Sequence, residues 1–565
     1  MQAINDNQCG WIFDVLVNRF KEIPGHPIAY SISKKLAHSF TDYGRLDLKF
    51  TPKEGLKTGE NEKFLRNWYE VNLNDIGFNF ESFSDFKESG KKWLPHQKGG
   101  DYRRWYGNQD FIINWEDDGA EIKNHPKSTI SNLAFQLREG VTWSYLSSSF
   151  FGVRYSPPGF TFNNKGPMIF GRNSKILVAY LCSSVGALLM KTINPTLNFS
   201  VGNVASLPYP EIKLVDKFEK IEAVSNECVT IASLDWNTFE TANNFSYSPL
   251  ASLSSRNSSI ANCHEIYSTN MLEKFERMLE LETTNNSFFI DAFDLQDELS
   301  PVAIDSQITL ARADREKDCQ RLISYAIGCM MGRYSLDDPG LIYAHAGNIG
   351  FDASLYKTFP ADADGIVPIT DTLWFEDDAA NRIREFLLAV WSAETLDENM
   401  TWLAESLGNK GNETPEETIR RYLASSFYKN HLQTYKKRPI YWLFSSGKQG
   451  AFQALVYLHR YNEGILARMR SEYVVPLTGK MLSRIEMLEK DAESASFTAT
   501  RTKISKEIEV LRKQHIELLA YDEKLRHYAD MRINLDLDDG VKVNYGKFGD
   551  LLAEVKVITG GADDD

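Results

Sequence analysis

The stretch KKWLPHQKGGDYRRWYGN occupies residues 91–108 and interleaves cations, aromatic rings and glycines. Three residues later comes Phe111-Ile112-Ile113-Asn114-Trp115, a short β-like run bounded by polar residues. Lys and Arg neutralise phosphates, Arg can also read guanine bidentately, and Asn can read adenine. Glycines let one backbone approach another. The same composition also suits a core-edge hairpin whose rings pack and whose cations are solvated. Composition alone leaves both readings open.

Working outward, residues 40–210 are mixed in pattern and rich in Gly, Trp, Tyr and Phe, with a further β-like run at Gly152-Val153-Arg154-Tyr155. Residues 176–193 are the most apolar run, interrupted by Ser183, Ser184, Gly186 and Lys191. That is short of the ~20 apolar residues of a membrane span, so it reads as a buried core helix with no membrane contact. Leu207-Pro208-Tyr209-Pro210 is a rigid exit. Ile212, Val215, Phe218, Ile221, Val224 and Cys228 then recur at helical spacing. Residues 241–262, rich in Ser and Asn, read as a surface loop or linker. Helices are expected over 266–281, 306–331, 377–391, 415–428 and 456–475. Over 480–533 a long helical pair carries Ile504, Ile508, Leu511, Leu518 and Leu525 on a heptad seam, with His515 and Asp522 as its polar interruptions. An intramolecular hairpin is favoured over an intermolecular coiled coil. The N-terminal residues 9–37 read as mostly helical, broken at 23–27, and the tail 560–565 as disordered.

The chain's 565 residues, 42% hydrophobic and 25% charged, fit several domains of ~150 residues in an ordinary globular protein. The net charge of −14 is unevenly spread. Residues 1–212 hold 24 Lys and Arg against 21 Asp and Glu, and the remainder 39 against 56, so the N-terminal third is the better phosphate-facing candidate. The six cysteines, Cys9, Cys182, Cys228, Cys263, Cys319 and Cys329, form no C-x-x-C pair, which fits a reducing cytoplasm and no zinc site. No signal peptide is recognisable.

Chemical motifs are weak. An amino-methyltransferase uses a glycine-rich turn for S-adenosylmethionine and a polar-Pro-Pro-aromatic motif that holds the flipped base. Ser156-Pro157-Pro158 is followed by Gly159 where the ring belongs, with Phe160 one residue late, and Asn194-Pro195-Thr196 lacks the second proline. No cofactor loop precedes either. Asp110, Asp117 or Asp118 ahead of Glu121-Ile122-Lys123 imitates a Mg²⁺ nuclease pattern, which is short and frequent by chance. No catalytic, cofactor-binding or metal-binding residue is therefore assigned.

Trp93-Leu94-Pro95, then Lys98-Gly99-Gly100-Asp101-Tyr102-Arg103-Arg104-Trp105-Tyr106-Gly107-Asn108, resembles the PglX family of BREX phage-defence adenine-specific DNA methyltransferases. So do Phe20-Lys21-Glu22-Ile23-Pro24-Gly25-His26-Pro27, Glu139-Gly140-Val141-Thr142-Trp143-Ser144, Asn194-Pro195-Thr196-Leu197-Asn198-Phe199, Arg438-Pro439-Ile440-Tyr441-Trp442 and Leu537-Asp538-Asp539-Gly540. The resemblance runs in order over nearly the whole chain and implies the target-recognition half of such an enzyme, without the N-terminal catalytic half. Met1 then starts a fragment, a truncated gene or a separately encoded subunit. The segment 194–211 and the helix after it are similar to the end of a type I restriction specificity domain.

The expected fold is α+β: a helical connector (1–39), a mixed α/β DNA target-recognition domain (40–210), a spacer helix and linker (211–300), a mainly helical C-terminal domain (301–479) and a helical hairpin with tail (480–565). The expected function is sequence-specific DNA recognition for N6-adenine methylation in phage defence and host DNA modification. The alternatives are a BREX interaction scaffold or a Mg²⁺ nuclease. The expected DNA-binding residues are Lys92, Lys98, Tyr102, Arg103, Arg104, Trp105, Tyr106, Asn108, Trp143, Ser144, Arg154 and Tyr155. The implied partners are double-stranded DNA, a methyltransferase domain or subunit that binds S-adenosylmethionine, and other BREX proteins.

Overall fold

The computed structural model describes residues 21–27, 32–147, 150–255 and 258–560. The helical reading of 9–20 and all but the first residue of the tail lie outside them. The described fold is mixed α+β, with small sheets among many helices. The chain forms two compact units that draw on interleaved segments. Unit 1 takes the described residues of Met1–Leu65 with Asp75–Asn237 and Asn270–Arg312. Unit 2 takes Arg66–Asn74, Thr238–Thr269 and Ala313–Asp565.

Unit 1 carries the sheets that the β-like runs announced. Phe111–Asn114 pairs antiparallel with Trp93–Gln97, and Thr161–Phe162 lies parallel on the other side of that strand. Ile112 and Ile113 are both buried, so this sheet is covered on both faces, which is why the run is continuously apolar rather than alternating. Leu94, Ile113, Trp115, Ile122 and Leu137 share one core cluster with Leu56, Phe64 and Phe86. A second antiparallel sheet sets Thr51–Lys53, Met168–Phe170, Gly140–Trp143 and Val153–Ser156 side by side.

The apolar run is two helices rather than one. Ser174–Cys182 and Ser184–Ile193 meet at 69°. Ser183 makes the break, adopting an extended backbone and accepting the Gly186 N–H on its side chain, an N-cap for the second helix. Among the described residues no single helix is long and apolar enough to cross a membrane; only this bent pair passes on length and composition, and most of it is buried inside the protein. Phe218–Trp236 follows the expected helical spacing from Ile221 to Cys228, both buried. Ile212 and Val215 instead face solvent, because Leu214 takes the inward position ahead of the helix.

Unit 2 is built on a three-stranded antiparallel sheet, Ile366–Pro368, Gln453–Tyr457 and Tyr441–Ser445 in that order, surrounded by helices. The expected helix over 456–475 begins as the end of a strand, because Val456 and Tyr457 pair with Trp442 and Tyr441; after a 3₁₀ turn at Leu458–Arg460, α-helix starts only at Ile465. The expected linker over 241–262 is largely packed. Ala242, Phe245 and Leu250 are buried, Phe245 packs edge-on to Tyr325 and Tyr334, and Pro249–Ser252 is helical. Its serines cap and turn: Ser258 and Ser259 bond within the entry to helix Ile260–Ala292.

The hairpin is present within the chain. Val475–Ser494 packs along Thr498–Asp530, with Ile485 and Leu488 against Ile508 and Leu511. The seam drifts from the heptad. Gln514 and Tyr521, not His515 and Asp522, take the inward positions between Leu511, Leu518 and Leu525. Gln514 donates to the Gln449 carbonyl at 3.1 Å, and Asp522 is held to the side by Arg470 at 2.7 Å. A helix near 3.6 residues per turn moves each successive contact around its axis unless a partner forces supercoiling.

The five described cysteines, Cys182, Cys228, Cys263, Cys319 and Cys329, are buried free thiols.

Candidate nucleic-acid interface

The cation-aromatic stretch begins as the buried strand Trp93–Gln97 and becomes a loop at Lys98. Gly99 turns the chain with φ +86°, and a Cβ there would meet the Lys165 carbonyl at 2.7 Å. That close approach sets Lys98 and Gly99 beside Lys165 and Ser144. Gly107, at φ +123°, lets the chain pass the Arg103 side chain and the Trp236 ring, which a Cβ would meet at 2.5 and 2.9 Å. Between the glycines, Trp105 exchanges backbone hydrogen bonds with Val153 and Tyr155, so the loop runs as an extra edge beside Val153–Ser156.

The twelve expected residues separate by burial. Arg104, Trp105, Tyr106, Asn108, Trp143, Ser144 and Arg154 are buried. Lys92, Lys98, Tyr102, Arg103 and Tyr155 are partly exposed. The two arginines differ. Arg104 donates to Glu282 at 2.6 Å and to the Cys182 carbonyl, while Trp105 donates its indole N–H to the other Glu282 oxygen at 2.7 Å. Burial pushes the Glu282 carboxyl up, against the pull of Arg104. Arg103 remains at the edge, 3.4 Å from Asp235 and over the Trp236 ring at 4.8 Å. Only Arg103 of this pair is placed to meet a ligand.

The remaining residues are anchored as follows. Trp143 donates to the Phe199 carbonyl at 2.8 Å. Ser144 donates to the Gly100 carbonyl and Asn108 to the Asp101 carbonyl, each at 2.8 Å, which fixes the loop from both ends. Tyr106 donates to Gln109 at 3.0 Å. Arg154 is fully buried, with contacts no shorter than 3.4 Å to Gly152, Arg103 and Ser144. Lys92 approaches Glu116 at 3.6 Å, and Lys98 lies 4.6 Å over the Phe111 ring. Lys175 sits 3.1 Å over the Tyr155 ring, and burial pushes the Tyr155 hydroxyl up to about 12.

Sequence reasoning placed 143–155 beside this edge and missed Lys165 and Leu197, which join it from a distance. Lys165 is exposed and lies 5.4 Å over the Tyr145 ring. Leu146, Phe150 and Leu197 are exposed large apolar side chains nearby, and Phe150 meets the Tyr102 ring at 5.4 Å. The backbone ties these segments together through Tyr145 to Lys165 and Phe199 to Tyr145. No local pattern signals such a grouping, because its members are tens of residues apart.

The two methyltransferase-like motifs are engaged locally. Gly159, at φ +91°, turns the chain so that Phe160 enters the core. Asn194 accepts from the Thr196 N–H and hydroxyl and donates to the Asn198 carbonyl, closing its own turn. In the nuclease-like pattern Lys123 pairs with Asp118 at 2.7 Å and Glu121 with Lys63 at 2.6 Å. Among the described residues no group of three or more His, Cys, Asp or Glu is arranged to hold a metal ion.

No protein-family model matches the chain. Over 98% of its length it is 41% identical to the adenine-specific methyltransferase BrxX of Escherichia coli O9:H4 (strain HS). Over 99% it is 37% identical to the adenine-specific methyltransferase PglX of Lacticaseibacillus casei (strain Zhang). The chain is similar to adenine-specific methyltransferases. It spans 47% of each of these two curated relatives. The likeness supports the PglX resemblance seen in the motifs, and it includes the cation-aromatic stretch of unit 1 as well as the sheet and hairpin of unit 2.

Proposed function

We propose that this chain serves sequence-specific DNA recognition in a BREX adenine-specific methyltransferase used against phage and on host DNA. The observation that carries the proposal is its likeness, over nearly its full length, to two adenine-specific methyltransferases of which it spans about half. In this reading S-adenosylmethionine is bound by a methyltransferase domain or subunit that works with the chain. The edge carrying Lys98, Arg103, Lys165 and Phe150 faces duplex DNA, with the cations on phosphates and the apolar side chains against the groove. Arg104, Trp105 and Trp143 support that edge from within.

The test is a fluorescence titration of duplex DNA across salt concentrations. Each phosphate contact adds close to one unit of salt slope by displacing about one condensed counterion. Lys98→Ala and Lys165→Ala should each weaken binding and flatten the slope by ~1. Titrations of both variants that superimpose on the parent at every salt concentration would remove this surface from the proposal.

A second reading is a scaffold for other BREX proteins. It is favoured by the acidic balance after residue 212, where 56 Asp and Glu face 39 Lys and Arg. Such a surface repels phosphate, and its docking would be much less salt-dependent.

A further inference from the structure

Residues 140–210 contain five Lys and Arg and not one Asp or Glu, in a chain that holds 77 acidic residues. A surface drawn from this segment offers a polyanion no repulsion of its own. Among its described residues the exposed large apolar side chains are Leu146, Phe150 and Leu197, at 62%, 47% and 50%.

Backbone pairing brings these three together. Leu146 bridges Asn198 in antiparallel fashion, and the Ser147 N–H donates to the Leu197 carbonyl at 3.1 Å. The Ser147 hydroxyl donates to the Phe150 carbonyl at 2.7 Å, closing the turn between Leu146 and Phe150. The floor behind them is packed. Phe151 meets Phe199 at 4.9 Å, and Trp143 donates to the Phe199 carbonyl at 2.8 Å. Gly152 lets this floor pass close to the Tyr102 ring, which a Cβ would meet at 3.0 Å, and Tyr102 lies 5.4 Å from the Phe150 ring. The tip is therefore apolar, exposed and held from behind. Its flank is cationic. Lys165 is exposed, lies over the Tyr145 ring and takes the Tyr145 N–H on its carbonyl at 2.8 Å. Arg103 adjoins Tyr102 at the same edge.

We infer that Leu146, Phe150 and Leu197 form a wedge that enters duplex DNA at one base step, with Phe150 stacking on the parted base pair. An apolar wedge flanked by cations suits a duplex opened in this way, because the wedge meets base faces while the cations meet the adjoining phosphates. Stacking of the ring on a base offsets part of the cost of parting the step. Pyrimidine–purine steps part most readily, so the wedge favours them without reading their edges. The inference rests on the DNA reading above and adds a deformation of the ligand to it.

The experiment relaxes a closed-circular plasmid with topoisomerase I in the presence of the 565-residue chain and reads the linking number on a gel. Fluorescence titrations on duplex DNA give the occupancy. Insertion unwinds the duplex, so saturating protein should lower the linking number, whereas groove contact alone leaves it unchanged. Phe150→Ala should weaken duplex binding about tenfold and remove most of the linking change at matched occupancy. It should keep the parental salt slope, since no phosphate contact is lost. Phe150→Leu keeps an apolar side chain and should retain most of the linking change. Lys165→Ala should do the reverse of Phe150→Ala, lowering the slope by ~1 while the linking change per bound chain persists. Duplex binding by the parent without any linking change would overturn the wedge and leave the DNA reading standing. No duplex binding at all would overturn both. A linking change that Phe150→Ala leaves intact would also overturn the wedge, and binding untouched by that substitution would assign the tip to a protein contact instead.

Discussion

Arg104 in unit 1 and Arg333 in unit 2 are both out of solvent, yet their guanidinium groups are satisfied differently. Arg104 faces a carboxylate, a carbonyl and an indole that shares the same carboxylate. Arg333 faces two tyrosine hydroxyls and keeps one nitrogen unbonded. A buried charge paired with its opposite fastens secondary structure together. Here it ties the loop after Gly100 to helix Ile260–Ala292 through Glu282, within unit 1. A buried cation whose partners are tyrosine hydroxyls, with one nitrogen unbonded, is held more loosely. The first arrangement explains how the loop after Gly100 is held rigid, and the second leaves part of a buried charge unsatisfied.

The largest expected effect breaks the satisfied pair. Glu282→Ala leaves Arg104 buried without its counter-charge and should cost about 3–5 kcal/mol. Hydrogen exchange read by mass spectrometry should show the loss in unit 1 peptides, with unit 2 peptides unchanged. Equal loss in both units would mean that they unfold as one.

Acid separates the units next. Burial pulls His96 in unit 1, and His431 and His459 in unit 2, down to about 3. These rings are neutral when folded and take protons below pH ~6.5 when unfolded. Their contribution is present above pH ~6.5 and is lost as pH falls toward 3. His96→Gln should flatten the acid loss of unit 1 by about 1.4 kcal/mol per pH unit over that window. The double change of His431 and His459 to Gln should flatten that of unit 2 by about twice as much. Urea melts from pH 7 to 4.5 measure both, and an unchanged slope in either would show that the ring is protonated when folded.

Arg333→Met sharpens the opening contrast. Replacing a poorly paired buried charge with an apolar side chain of similar length should shift stability by less than about 1.5 kcal/mol. Tyr457 still donates to the Tyr343 carbonyl at 2.9 Å. A loss as large as that of Glu282→Ala would make Arg333 a structural anchor.

The smallest effect concerns DNA. Lys165→Ala in unit 1 should lower the salt slope by ~1, and Lys513→Ala on the unit 2 hairpin should leave it unchanged. The reverse result, read by fluorescence titration, would move the phosphate-facing surface to unit 2.

Much of the local structure was legible in the sequence. Phe111–Asn114, Val153–Ser156 and the hairpin of Val475–Ser494 with Thr498–Asp530 follow from apolar runs and helical periodicity, which depend on neighbours a few residues away. The cation-aromatic stretch was also visible as a chemically unusual segment. Its partners were not. Glu282 lies 178 residues from Arg104, and nothing near either residue announces the pair. Composition gave Arg103 and Arg104 the same standing, and only packing put one at the edge and the other inside.

The segment 241–262 was polar enough to look like a linker, yet Phe245 among Tyr325 and Tyr334 makes it part of the unit 2 core. Ser183 looked like an interruption within one helix and proved to be the cap of a second. Periodicity determines which residues share a face, since it is written in the backbone geometry of each element. Which face meets which, and which polar atom is left without a partner, depends on segments interleaved from distant parts of the chain, so tertiary packing alone decided it.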